Sequence, residues 1–273
     1  METAVNKTQN TIMKINLSIV KKLFTTALLL LLSWSCTDNN DITNEHIFEG
    51  DVILDTNEKY HEFIENNYTR ITGNLRINNL TVLNIDGLKQ LHKVDKKIEI
   101  RNNINLRNIN GFKNLNSVTG IDIIENKSLV NLEGLEKVKY LEHSLFIQSN
   151  ENLTSLKGLD NLRSIDFILS VLGNPKITNL ENLMKLSSVG YLQIIRNQNL
   201  YNLNGLSNLK KLTGIKQSHV VIFSIQDNTN LVDLCAITSL VKNNFEKIGA
   251  DSLIWNNAFN PSRQEIIDGN CSQ

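Results

Sequence analysis

Side chains able to do chemistry are few in this chain and widely spaced. Three cysteines stand at 36, 235 and 271, and five histidines at 46, 61, 92, 143 and 219. Neither set falls at metal-ligand spacing with nearby acids. No stretch matches a phosphate loop, a zinc helix motif, a nucleophile elbow or a dinucleotide fingerprint. One pair of acids remains, Glu99 and Asp122, which an internal repeat stacks on adjacent strands of one outward face. Two carboxylates so placed are the machinery of glycoside hydrolysis, but two solvated surface acids are the plainer reading. The expectation is therefore a non-catalytic chain with no metal and no cofactor, polysaccharide hydrolysis being the weakest of the functions considered.

Cys36 has a context of its own. Lys21 and Lys22 precede an apolar run from Leu23 to Trp34, which ends in Ser33-Trp34-Ser35-Cys36. A charged start, a short apolar run and a small-residue site describe an export signal, too short to cross a bilayer of ~30 Å. Met13-Lys14 offers a second start that gives a signal of more ordinary length. Ser35-Cys36 after Leu28–Leu32 resembles the lipobox of bacterial lipoproteins, although Ser33 stands where a lipobox prefers Leu. Thr37-Asp38-Asn39-Asn40-Asp41 is similar to the acidic stretch that marks surface-exposed lipoproteins of some Gram-negative bacteria. These likenesses imply removal of residues 1–35, a lipid on Cys36, a tether over 36–46, and a place on the outer membrane facing the exterior. With Cys36 lipidated, Cys235 and Cys271 are left to form a disulfide, as an exported chain permits.

The elements that carry these residues are set by the repeat. The chain has 41 Asn and 39 Leu in 273 residues, and Asn recurs at 79, 103, 126, 150, 174, 197 and 228. Eight residues after each Asn comes Gly87, Gly111, Gly134, Gly158, Asn182, Gly205 and Ala236. Apolar residues recur at −5, −3, +3, +6, +9, +12 and +15 from the Asn, as in Leu192, Ile194, Asn197, Leu200, Leu203, Gly205, Leu206, Leu209 and Leu212. The −5/−3 pair has the period of a strand with two side chains facing inward. The Asn then ends that strand, and stacked copies make an internal amide ladder. Gly at +8 fits a corner of positive φ. A unit whose apolar positions surround the whole turn buries its faces only against its neighbours, which predicts an all-β solenoid of about seven 23–24-residue coils over 74–240.

The pattern I/L-x-I-x-x-N-x-x-L-x-x-L-x-G-L-x-x-L-x-x-I/V resembles the receptor L domain, over about residues 47–273. That family supplies the ligand-binding lobes of the insulin and epidermal growth factor receptors and also occurs as bacterial surface lipoproteins. The resemblance implies a right-handed single-stranded β-helix with three short parallel sheets. It carries over no ligand-contact residue, because those side chains lie outside the repeat motif.

A stacked fold needs capped ends. At 47–73, a helix from about Asn57 to Glu65, with Asp55 as N-cap, is expected to present Tyr60, Phe63 and Ile64 to the first coil. Over 241–273, Ser262 and Glu265 form a capping box for a short helix carrying Ile266 and Ile267, with Trp255 and Phe259 adding bulk and the disulfide tying the cap down. The sixth junction is longer than the others, and its inserted segment Thr213–Val221 is expected to bulge from one edge.

The function-bearing surface is sought at the outward positions −6, −4 and −2. They are largely polar in early repeats (Lys97, Glu99, Arg101, then Gly120, Asp122) and turn apolar later, with Ile124, Phe146, Ile168, Leu172, Tyr191, Ile195 and Ile222. Positions +4 and +5 stay mostly polar, as in Thr154-Ser155. Stacked strands ~4.8 Å apart merge the apolar set into one patch, the expected binding face for a protein or glycan at the cell surface unless the insertion or the C-terminal cap folds over it. A scaffold or spacer of an envelope complex is the alternative. Net charge is zero, with 28 basic and 28 acidic residues, and no basic stripe suggests nucleic acid. The membrane is reached by the lipid anchor alone.

Overall fold

A computed structural model describes residues 45–214, 223–248 and 253–273. The export signal, Cys36 with most of its tether, residues 215–221 of the insertion and Ile222 lie outside the described residues.

The fold is mostly parallel β-sheet with few, short helices. One sheet has eleven strands, nine of which follow one another in chain order: Val52–Leu54, Leu75–Asn78, Lys97–Arg101, Gly120–Ile124, Leu145–Gln148, Ser164–Leu172, Ser188–Ile195, Phe223–Gln226 and Leu253–Trp255. Each pairs in parallel with the next. A second sheet joins Ile47–Phe48, Arg70–Ile71 and Lys93–Val94. The register stacks like on like: Leu54, Ile77, Ile100, Ile123, Ile147, Val171, Ile194, Ile225 and Ile254 form one inward column. β-Branched side chains suit this pleated, packed surface. Leucines at +3, +6, +9 and +12 complete the core, and short 3₁₀ turns such as Asn204–Leu206 fit their spacing of three.

Buried amides lock the repeats together. The Oδ1 of Asn126 accepts from the backbone N–H of Asn103 at 3.2 Å, while its Nδ2 donates to the carbonyl of Ile100 at 2.9 Å. Asn150, Asn174, Asn197 and Asn228 repeat the arrangement. The structure corrects the sequence reading at both ends of this column. Asn79 is exposed and lies one residue out of it; Leu80 occupies the ladder place, and its N–H donates to Asn103 Oδ1 at 2.9 Å. Asn79 instead opens a column of left-handed residues (φ 59°) continued by Asn102, Glu125, Ser149, Gly173, Arg196, Asp227 and Asn256. At the other end Asn257 is a further ladder residue, accepting from Asn228 N–H at 3.1 Å, and Asn260 Oδ1 closes the series on Asn257 N–H at 2.9 Å.

The recurrent glycine has a different cause from the one expected. Only Gly134 and Gly158 of the set have positive φ. Gly111, Gly134, Gly158 and Gly205 share a close approach to the preceding repeat: a Cβ on Gly205 would lie 1.6 Å from the carbonyl oxygen of Leu180, and one on Gly111 1.9 Å from that of Ile85, whereas Gly87 lies against Ile64 and Tyr60 of the cap helix. Position +4 is also less polar than expected, since Leu83, Val130 and Tyr201 stand exposed in that column; Arg107, Thr154 and Thr178 separate them.

Both ends are capped. The helix Asn57–Glu65 starts on Thr56, not Asp55: Thr56 has extended φ/ψ and its hydroxyl accepts from Lys59 N–H at 3.2 Å. Asp55, one residue too early to reach that donor, pairs with Lys59 Nζ at 2.7 Å. Tyr60 and Phe63 are buried, and the Tyr60 hydroxyl accepts from Gly87 N–H at 3.2 Å. At the far end Ser262 and Glu265 form a capping box on the helix Arg263–Ile267, with Ile266 in the core. Cys235 and Cys271 are joined in a disulfide.

Replacing Asn150 by Leu strands the N–H of Asn126 and the carbonyl of Ile123, each such buried group costing ~1–3 kcal/mol. Urea unfolding is expected to show a loss of about 2–5 kcal/mol for Asn150→Leu. Asn79→Gly, which keeps left-handed backbone and removes no ladder amide, should change stability by less than about 0.5 kcal/mol. Equal losses in the two variants would contradict the ladder register.

Candidate binding face

The outward side chains of the long sheet come from the same strands whose inward residues the ladder fixes, so their positions are set to within the pleat. Position −2 holds Arg101, Ile124, Gln148, Leu172, Ile195, Gln226 and Trp255 in continuous register. Position −4 holds Arg76, Glu99, Asp122, Phe146, Ser170, Gln193 and Ser224. At −6, Lys97 pairs with Gly120 and Ile168 with Tyr191.

The face divides into two halves. In the earlier repeats acids and bases alternate. Asp51 lies 3.4 Å from Arg76, Glu99 is bracketed by Arg76 and Arg101 at 3.7 and 3.5 Å, and Asp122 receives Lys97 Nζ at 2.6 Å and Arg101 Nη2 at 2.5 Å. Asp122 is only 1% exposed, its Oδ1 without a hydrogen-bond partner. This corrects its reading as a solvated surface acid. Lys97 and Arg101 reach over it from the neighbouring strand, and outward-facing position alone does not reveal such a cover. Both carboxylates of the suspected catalytic pair are thus engaged by cations, and Asp122 is shielded from any substrate. Lys97 also lies 5.6 Å over the ring of Phe146, where the ionic half meets the apolar one.

Beyond that border the sequence-predicted residues Ile124, Phe146, Ile168, Leu172 and Ile195 are brought together, each half-buried. Tyr191 departs from expectation: it is 4% exposed, with Phe167 set edge-on to its ring at 5.2 Å, so it supports the surface from beneath. Gln148 lies over Ser170, and Gln226 donates to Ser224, which leaves both serines buried. Two residues of the face escape sequence reasoning. Phe167 is 46% exposed at a register shift between Ile165 and Ile168; nothing in the repeat pattern marks that shift. Trp255 is 49% exposed at position −2 opposite Gln226, extending the face rather than filling the cap. Asn257, two residues on, is the available signal, hidden by the irregular spacing of the last repeats.

Elsewhere two sets of ionisable groups are engaged within the fold. Hydrogen bonds from Arg70, with Lys93 beside it, hold the Asp95 carboxyl below its ordinary range. The Tyr140 hydroxyl donates to Asp166, and that carboxylate pushes the phenol up to about 12. Among the described residues no cluster of three or more His, Cys, Asp or Glu is placed to hold a metal ion, and no helix is long and apolar enough to cross a membrane. A scan against protein-family models finds no match for this chain, and a search of curated proteins finds none either.

Because the fold favours neutral Tyr140, the stability it contributes is fully present below a pH of about 10 and is lost as pH rises through about 12. An NMR titration of labelled tyrosine is expected to find Tyr140 ionising near 12, and Asp166→Asn to return it toward about 10. A Tyr140 still ionising near 12 in the Asp166→Asn protein would show that another group raises it.

Proposed function

We propose that this chain is a non-catalytic, lipid-anchored surface module. Its parallel strands wind as a right-handed β-helix of receptor L-domain type and present one rigid sheet face to a protein or glycan ligand. Nine strands paired in parallel in strict chain order support the winding, since each parallel neighbour must be reached by a crossover and such crossovers are right-handed in about 98% of cases. The single amide per repeat and the leucines at every third position support the family reading.

One observation carries the binding role: Ile124, Phe146, Ile168, Leu172 and Ile195 lie half-exposed on one face, flanked by the more exposed Phe167 and Trp255. A contiguous apolar surface of this kind marks an interaction site. Aromatic residues at its border suit them to anchor a partner, because interface affinity concentrates in a few such side chains. Lipidation of Cys36 after removal of residues 1–35, and residence on the outer membrane of a Gram-negative cell facing outward, complete the proposal. These rest on Ser35-Cys36, the apolar run before it and the acidic stretch after it.

Leu172→Lys with Ile195→Lys places two charges on the face without touching an inward residue. The expected outcome is an unchanged thermal midpoint together with loss of the envelope proteins or glycans that the immobilised wild-type chain retains. Unfolding of the double variant would show that these side chains belong to the core. Retention undiminished by the two lysines would remove the face from the binding role.

A further inference from the structure

The short strands at the other corner of each repeat carry a second outward face. Its two columns run through Lys93, Ser117, Tyr140 and Ser164, and, two residues on in each repeat, through Asp95, Thr119, Glu142 and Asp166. In the middle repeat the pair is small, Ser117 and Thr119, and on either side it is large. One short rung between two tall ones makes a notch. With rungs ~4.8 Å apart, the walls stand about 10 Å apart centre to centre, leaving room for one ring-sized group. The resulting groove has a volume of about 450 Å³, with Lys93 and Asp95 on one wall, Tyr140 and Glu142 on the other, and Asn116, Ser117 and Thr119 along the floor.

The polar side chains of this floor are less engaged than several others along the repeats. Asn114, Asn152, Asn161, Ser128 and Ser187 each donate to a backbone carbonyl of the preceding repeat. The side chains of Asn116, Ser117 and Thr119, and those of Lys139 and Glu142 at the rim, make no hydrogen bond or ion pair among the described residues. Tyr140 is 45% exposed, and its hydroxyl is tied to Asp166, so the ring stands as a fixed wall. The lysines and acids of the groove nearly balance, three to two: Asp95 is held by Arg70 and Lys93, Lys137 donates to Asn114, and Lys139 and Glu142, one of each sign, stand at the rim without an ion pair among the described residues.

We propose that this notch binds one pyranose unit of a neutral glycan, at a face separate from the apolar sheet. Hydroxyl, amide, carboxylate and ammonium groups with unused bonding capacity match vicinal sugar hydroxyls, each both donor and acceptor. The Tyr140 ring receives the apolar C–H face of the sugar, and its hydroxyl already has a partner. An apolar wall with a few convergent polar groups is the ordinary build of a small-molecule cleft, and the volume lies in the usual range. With Lys93 engaged by Asp95 and Lys137 by Asn114, little free positive charge is left to draw a polyanion, which would also meet Asp95 and Glu142, so a neutral sugar is favoured.

The test is isothermal titration of the full chain with cellohexaose, maltohexaose and mannohexaose, beside polygalacturonate. Ser117→Lys with Thr119→Glu fills the notch using residue types that the same two columns carry in neighbouring repeats, at Lys93 and Glu142, so the fold is expected to persist with an unchanged thermal midpoint. The expected result is that at least one neutral hexasaccharide binds, that the notch-filling pair weakens it at least about tenfold, and that Leu172→Lys with Ile195→Lys leaves it unaltered. Failure of all three sugars to bind the wild-type chain, or undiminished binding by the notch-filled variant, overturns the proposal. Loss of sugar binding in the sheet-face variant alone overturns the notch while leaving the apolar-face reading intact. Tighter, salt-quenched binding of polygalacturonate overturns the assignment to a neutral sugar.

Discussion

A buried column of asparagine amides sets the terms on which the rest of this molecule is built. Each amide satisfies a backbone N–H and a backbone carbonyl that belong to the repeats before it. Both groups are sealed from water, so both must be met. The bond is directional: every oxygen faces the N-terminal neighbour, and the column needs different endings. At its start Leu80 supplies a donor and no amide, while at its end Asn260 supplies an amide from the loop. A slip of one residue would break every rung together and turn each strand inside out. Length variation is therefore tolerated only away from the column, which is why the extra residues between Leu212 and Phe223 fall at a junction and the strand after them re-enters register opposite Leu192–Ile195.

That constraint explains which parts of the structure could be read from the sequence. Inward strand residues, the ladder from Asn103 to Asn228 and the leucines at every third position repeat because each copy meets the same surroundings. Asn79 misleads because Asn78-Asn79 precedes Leu80 as a doublet, and only the hydrogen bond from Leu80 reveals which residue holds the ladder place. Asn257 escapes notice because its distance from Asn228 exceeds the repeat. The glycine at +8 is legible as a position but not as a cause: the approach of the preceding repeat's carbonyl is a tertiary fact. Asp122 and Tyr191 are legible as outward-facing but not as buried, since burial there depends on the reach of Lys97, Arg101 and Phe167 from other strands.

The same constraint frees the outside of the molecule. Inward residues are held to Leu, Ile, Val and Asn by packing and amide geometry, whereas outward columns need only tolerate a strand. Residues there are free to differ from repeat to repeat, and they do: ion pairs through the third repeat, aliphatic and aromatic side chains after it, and small residues beside tall ones on the other corner. Function on such a fold lies in departures from periodicity, because anything periodic is already explained by the stacking.

The geometry of the face also bears on recognition. Its side chains stand on strands whose backbones are tied on both sides, so ordering them on binding costs little conformational entropy, and a modest apolar area suffices for useful affinity. Its ionic half is internally matched, with each acid already facing a cation. A partner bearing bare charges would have to break those pairs to gain from them, and breaking those of Asp122 would strand a buried carboxylate. On the proposed binding role the ionic half would therefore discourage charged partners, and affinity would fall to the stretch from Ile124 to Trp255. A ligand of the proposed face would have to be apolar over that stretch and nearly neutral beside Lys97 and Phe146.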